Sequence, residues 1–160
     1  MKKNETLLYH ILKNGNSPLR YIDTLEEIEG LKEDIELNQE YLDYYSSAIE
    51  DCKSELQNIR ACIIGNISDL NNEFDLENDL NFFNDKCEER KDAISELERK
   101  IKRLERKCVV MAGGWISSSK TDMEQELEYI HSWADLFCTS NYYCYDISTL
   151  DNFELDYLEE

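Results

Sequence analysis

Two stretches of the chain carry apolar residues at alternating spacings of three and four, and no other pattern in it is as long. From Ile28 to Ile63 the a positions are Ile28, Ile35, Leu42, Ile49, Leu56 and Ile63, and the d positions are Leu31, Asn38, Tyr45, Cys52 and Ile59. From Leu76 to Met111, a is Leu80, Cys87, Ile94, Ile101 and Cys108, and d is Leu76, Phe83, Arg90, Leu97, Leu104 and Met111. An apolar seam with a period of 3.5 residues, held for about five heptads in each arm, is the pattern of a coiled coil. The expected class is therefore all-α. The arms form a long antiparallel helical hairpin, an intramolecular coiled coil, with short N- and C-terminal helices packed at its base.

Charge argues for pairing within one chain, because a parallel homodimer would set the acidic run Glu29 to Glu40 against itself. It also suggests a register: Ile28 opposite Met111, Ile35 opposite Leu104, Leu42 opposite Leu97 and Leu56 opposite Phe83. Asp34 then flanks Lys107, Glu55 flanks Lys86, Lys32 flanks Glu105 and Arg60 flanks Glu77. Sliding one heptad toward a shorter loop brings Glu55 against Asp79, and sliding the other way brings Lys53 against Lys91. Such pairs are worth a few tenths of a kcal/mol each, so only their sum selects a register. In this alignment Asn38 faces Ile101, Arg90 faces Ile49 and Cys52 faces Cys87. The two polar residues either fix register with their ends in solvent or mark where a third helix docks. A Cys52–Cys87 disulfide is disfavoured, since residues across a seam usually exceed the roughly 7 Å limit on Cα separation.

The flanking segments read by their caps. A short helix over residues 5–13 places Leu7, Leu8, Ile11 and Leu12 on one side and stops at Asn14-Gly15-Asn16. Ser17 followed by Pro18 starts the next helix, which runs into the first arm. Gly65 and Asn66 end that arm. Ile67 to Asp75 then reads as a separate turn of helix, with Leu70 and Phe74 either covering the tip or exposed for docking. Gly113-Gly114 ends the second arm. Thr121 and Glu124 form a capping box for a helix reaching about Phe137, with Met123, Leu127, Ile130, Ala134 and Phe137 inward. The divisions are residues 1–20, 21–112 and 113–160, forming one compact unit. Tyr142 to Tyr145 has strand propensity without an obvious pairing partner, and the acidic, aromatic segment Asp151 to Glu160 has a composition that often orders only on binding.

Function is bounded mainly by charge. The 36 acidic and 17 basic residues give a net charge of −19, which argues against direct binding to nucleic acid or to an anionic membrane. No apolar run has the length of a membrane span, and the N-terminus lacks the apolar core of a signal peptide. A cytoplasmic protein with reduced cysteines is expected. No cofactor or metal is expected: His131, Cys138 and Cys144 lack a close C-x2-C pair. Gly113-Gly114 and Lys120 lack the spacing of a phosphate-binding loop. Acidic surroundings should raise the thiol pKa of Cys138 and Cys144, against nucleophilic catalysis. The chain reads as a non-enzyme.

The outward positions of the first arm carry Glu29, Glu33, Glu36, Glu40, Asp43, Glu50 and Asp51 with no intervening base on that row. Carboxylates three or four residues apart stand about 5–6 Å from one another, and the row runs roughly 33 Å. Asp69, Glu73, Asp75, Glu77 and Asp79 make the tip a second acidic cluster. These two groups are the expected partner-binding residues. A basic protein surface is the expected partner, in particular one that normally holds nucleic acid, engaged by a monomer or homodimer. In size, acidity and lack of catalytic motifs the chain resembles the nucleic-acid-mimicking inhibitors that phages and mobile elements direct against restriction and CRISPR systems. That likeness implies a non-catalytic anti-defence inhibitor. The alternative is a structural or adaptor coiled coil that binds through apolar ends, Leu70, Phe74, Trp115 and Tyr142 to Tyr145. One basic stripe, Arg99 to Arg106, stands out from this acidic background, and the tail Asp151 to Glu160 is expected to fold back on it.

Overall fold

The structure, a computed structural model, describes residues 6–61, 67–115, 117 and 119–137. The regular elements among them are four helices: α1 (Leu7–Lys13), α2 (Pro18–Ala61), α3 (Ile67–Met111) and α4 (Lys120–Phe137). The two long helices pack against each other as the antiparallel hairpin expected from the heptads. The chain falls into two compact units, one formed by residues 1–29 with 102–160 and the other by residues 30–101.

The first unit is built around α1. Its N-terminal amides are capped twice: Thr6 Oγ1 accepts from the Tyr9 N–H at 3.1 Å, and Glu126 of α4 accepts from the Leu7 N–H at 3.0 Å. The second bond joins the two short helices end to side. At its other end Asn16 N–H reaches Ile11 C=O and Gly15 N–H reaches Leu12 C=O, both at 3.0 Å. This closing motif needs a left-handed residue, supplied by Gly15 at φ +71°. Leu7, Leu8 and Ile11 are completely buried, as are Ile130 and Trp133 of α4. Tyr21, Ile22 and Ile28 of α2 and Cys108 and Met111 of α3 are also among its buried residues. Burying each large apolar side chain is worth about 1.5–3 kcal/mol, so the first unit has a real core.

Helix α2 starts as its sequence dictates: Pro18 takes the first helical position and Ser17 Oγ accepts from the Arg20 N–H at 3.2 Å. Helix α3 ends at glycines with φ +60° and +87°, Gly113 and Gly114. Asn14 Nδ2 donates to the Val110 carbonyl there at 3.4 Å, satisfying one of the orphan acceptors that every helix end leaves. Helix α4 begins two residues earlier than a Thr121 cap would place it. Ser119 is the cap, its Oγ accepting from the Asp122 N–H at 3.1 Å. The buried face of α4 is also rotated from the expected one, running through Glu126, Tyr129, Ile130, Trp133 and Ala134.

In the second unit the seam is narrow. Ile49, Cys52, Leu56, Cys87 and Ile101 are its buried apolar residues among those described. The register differs from the charge-based one. Arg90 Nη1 donates to Asn38 Oδ1 at 3.1 Å, Tyr45 and Phe83 ring centroids are 6.1 Å apart, and Ser46 Oγ lies 4.0 Å from Cys87 Sγ. These contacts place α3 between six and eleven residues from its charge-based position, in the direction that brings Glu55 toward Asp79. Arg90 therefore does not face Ile49, Asn38 does not face Ile101, and Cys52 does not face Cys87. Lys86 pairs with Glu89 of its own helix at 3.2 Å rather than with Glu55. The physical reason is one of magnitude: exposed ion pairs contribute a few tenths of a kcal/mol, whereas the Arg90–Asn38 hydrogen bond formed in this register involves a charged donor and is worth about 1.5–3 kcal/mol. The expected Arg60–Glu77 pair does form, at 2.8 Å, and Arg60 also holds Glu73 at 2.9 Å. Ile67 to Asp75 is not a separate helical turn but the first part of α3.

Candidate protein-binding surface

All of the first acidic row is exposed: Glu29 at the edge of the first unit, and Glu33, Glu36, Glu40, Asp43, Glu50 and Asp51 in the second. The helix keeps these carboxylates outward because the a and d residues of the same turns are committed to the seam. From Glu33 to Asp51 the row covers about 27 Å of α2. Its internal contacts are light. Asp43 accepts from Gln39 Nε2 at 2.9 Å, and Lys53 stands 4.0 Å from Glu50.

The tip cluster is less open than its sequence suggests. Arg60 clamps Glu73 and Glu77, which leaves Asp75 and Asp79 as its exposed carboxylates without an ion pair among the described residues. The side chain of Asp69 lies outside the described residues, as does that of Leu70. Phe74 is exposed.

A feature not expected from the heptads lies beside the row. Leu37, Tyr41 and Tyr44 are 50%, 43% and 65% exposed, and with Glu40 and Tyr45 they line a depression of about 390 Å³. The Glu40 carboxylate thus belongs both to the acidic row and to an aromatic-lined hollow. The Arg90 guanidinium sits 4.5 Å from the centroid of Tyr41, and Tyr44 packs edge-on to Tyr45 at 5.5 Å. On α3, Phe82 is also exposed, with Lys86 Nζ 5.5 Å from its centroid. The sequence held a signal for this surface: a Tyr44-Tyr45 or Phe82-Phe83 doublet can direct only one ring into a seam, so the other must face outward.

Carboxylates interleaved with tyrosine faces suit a cationic partner. A guanidinium or ammonium gains Coulomb attraction from the acids and an attraction of about 0.5–2 kcal/mol from each ring it covers. Arg90 on Tyr41 shows that contact within the protein itself.

The thiols do not suggest a reactive centre. Cys52, Cys87 and Cys108 are free and buried. Burial raises the pKa of Cys52, and Asp79, Glu55 and Asp51 add to the effect. Burial followed by Glu105 does the same at Cys108. His131 is exposed on α4, while Cys138, Cys144, the Tyr142 to Tyr145 run and the tail lie outside the described residues. No helix among the described residues is long and apolar enough to cross a membrane. Comparison with known protein families, with curated proteins and with solved structures finds no match.

Proposed function

We propose that this is a non-catalytic protein-binding protein whose acidic α2 face occupies a basic surface of its partner, one that otherwise holds nucleic acid. The supporting observation is the continuity of Glu33, Glu36, Glu40 and Asp43, all exposed, with the hollow formed by Glu40, Tyr41 and Tyr44. A nucleic-acid-binding surface offers arginines and lysines placed for phosphates, and often for stacked bases. The row substitutes carboxylates for the phosphates, and Tyr41 and Tyr44 substitute rings for the bases. Steering by a charge of −19 makes association fast and salt-sensitive. Inhibitors of nucleic-acid-handling enzymes, the anti-defence proteins of phages and mobile elements among them, are the class in which such a surface would act.

The test uses immobilised protein exposed to a cell lysate at low and at high salt, with elution by duplex DNA or by RNA. Nucleic-acid-binding proteins should be retained and elute with either, and they should be lost from Glu36→Lys/Glu40→Lys/Tyr44→Ala protein. A second reading, an adaptor binding through apolar surface, is favoured by the exposure of Phe74 and Phe82 on α3. It expects a partner retained at high salt, indifferent to nucleic acid, and lost when those two phenylalanines become alanine.

A further inference from the structure

Within the first unit, α2 and α3 enclose a groove of about 670 Å³. Arg20, Arg103, Arg106 and Lys107 line it, with the carboxylates of Asp23 and Glu27. None of the four cations has an ion-pair partner among the described residues. Leu104, Val110 and Met111 also contribute to the lining, and Val110 is 71% exposed. A groove of this size holds a few side chains of a peptide, and its charge selects an acidic one. We propose that it receives the protein's own segment Asp151 to Glu160.

The segment carries Asp151, Glu154, Asp156, Glu159 and Glu160 with no base, and Phe153, Tyr157 and Leu158 between them. Its apolar residues match the aliphatic lining, and its carboxylates match the four cations. Residues 138–150 can extend over roughly 45 Å, which exceeds the roughly 27 Å length of α4, the helix that precedes them in this unit. Linkage within one chain gives an effective concentration in the millimolar range, which no free competitor in trans matches. An external polyanion is disfavoured, because it must approach a molecule whose net charge is −19. The groove also redefines the basic stripe. Arg99 is outside it and bound to Glu96 at 3.0 Å, whereas Arg20, distant in sequence, belongs to it.

The test compares three full-length proteins for binding of a fluorescent peptide with the sequence of residues 146–160. The wild-type groove is occupied, so the peptide should bind weakly. Glu154→Lys/Asp156→Lys/Tyr157→Ala opens the groove and should bind at least tenfold more tightly, more so at low salt. Adding Arg103→Glu/Arg106→Glu to that protein should abolish the gain. Equal binding to all three proteins, or to none, overturns the proposal. So does tighter binding of inorganic polyphosphate than of the peptide by the opened protein. Concentration-dependent self-association of the wild type, lost in the opened variant, would assign the segment to a second copy and overturn the intramolecular reading. Because no partner protein is used, the outcome is independent of the acidic α2 face.

Discussion

Arg90 and Asn38, the two polar residues in the hairpin seam, satisfy each other: Nη1 of the arginine donates to Oδ1 of the asparagine at 3.1 Å. Asn38 Nδ2 in turn donates to the Asp34 carbonyl at 2.8 Å, so the amide is oriented before it meets the guanidinium. Arg90 Nε is buried with no partner, so the site is already at its limit of unmet donors. Asn38→Leu should therefore cost about 1–3 kcal/mol, the usual penalty for stranding a buried donor. Asn38→Leu/Arg90→Leu should recover most of that loss, because two apolar residues then fill the seam. Urea unfolding of the wild type, both single variants and the double variant measures the coupling. Strictly additive losses would mean that the pair does not set the register.

Glu126 is 2% exposed and accepts the Leu7 N–H of α1. Burial raises its pKa above the ordinary carboxylate value, with Asp122 adding to the rise and the Leu7 bond opposing it. The folded state thus holds this proton more tightly than the unfolded state. Its contribution is fully present below the ordinary value and is lost as pH rises through the raised one. Glu126→Gln keeps an acceptor without the charge, so its melting temperature relative to wild type should increase from pH 4 to pH 8. Glu126→Ala leaves the Leu7 amide unpaired and should cost about 1–3 kcal/mol. Parallel pH profiles for the wild type and the Gln variant would show that the carboxyl ionises without penalty.

What could be read from the sequence was what is decided locally. Ser17, Gly15 and Gly113 act within a turn of themselves, and the heptads need only the helix period, so the short helix, the start of α2 and the hairpin follow from them, whereas α4 is capped by Ser119 rather than by Thr121. Register is decided across the seam. Summed surface charges favoured one alignment, but the Arg90–Asn38 bond and the Tyr41 ring outweigh them. The inward face of α4 depended on the α1 N-terminus, which draws in a glutamate no pattern marks as buried, and on Trp133, whose large surface dominates the packing. The exposure of the acidic row followed from heptad position, whereas the partial neutralisation of the tip required knowing where Arg60 reaches.

Gly30 lies inside α2, and a Cβ there would meet nothing within 4 Å. Gly30→Ala should stabilise the protein by about 0.5–1 kcal/mol by narrowing the unfolded ensemble and favouring helix. Gly113→Ala should do the opposite. Its φ of +60° is costly for any side chain, and the new Cβ would overlap Asn14, so a loss of at least about 1 kcal/mol is expected. Thermal melts of the two variants check both signs, and a gain at Gly113 would contradict the cap described for α3.

The exposed carboxylates of α2 should be a liability for stability. Glu33, Glu36, Glu40 and Asp43 stand three or four residues apart on one helix face, and like charges at that spacing destabilise by about 0.2–0.5 kcal/mol per pair. Glu36→Lys turns the repulsions with Glu33 and Glu40 into attractions, so it should raise the melting temperature at low salt. Within a Debye length of about 3 Å, reached near 1 M salt, the gain should nearly vanish. The same substitution should weaken capture of a basic partner. A residue that lowers stability yet strengthens binding is being kept for the surface it presents, whereas a merely solvated face would show the stability gain with no loss of binding. Measuring melting temperature and partner retention on the same Glu36→Lys preparation separates these two outcomes.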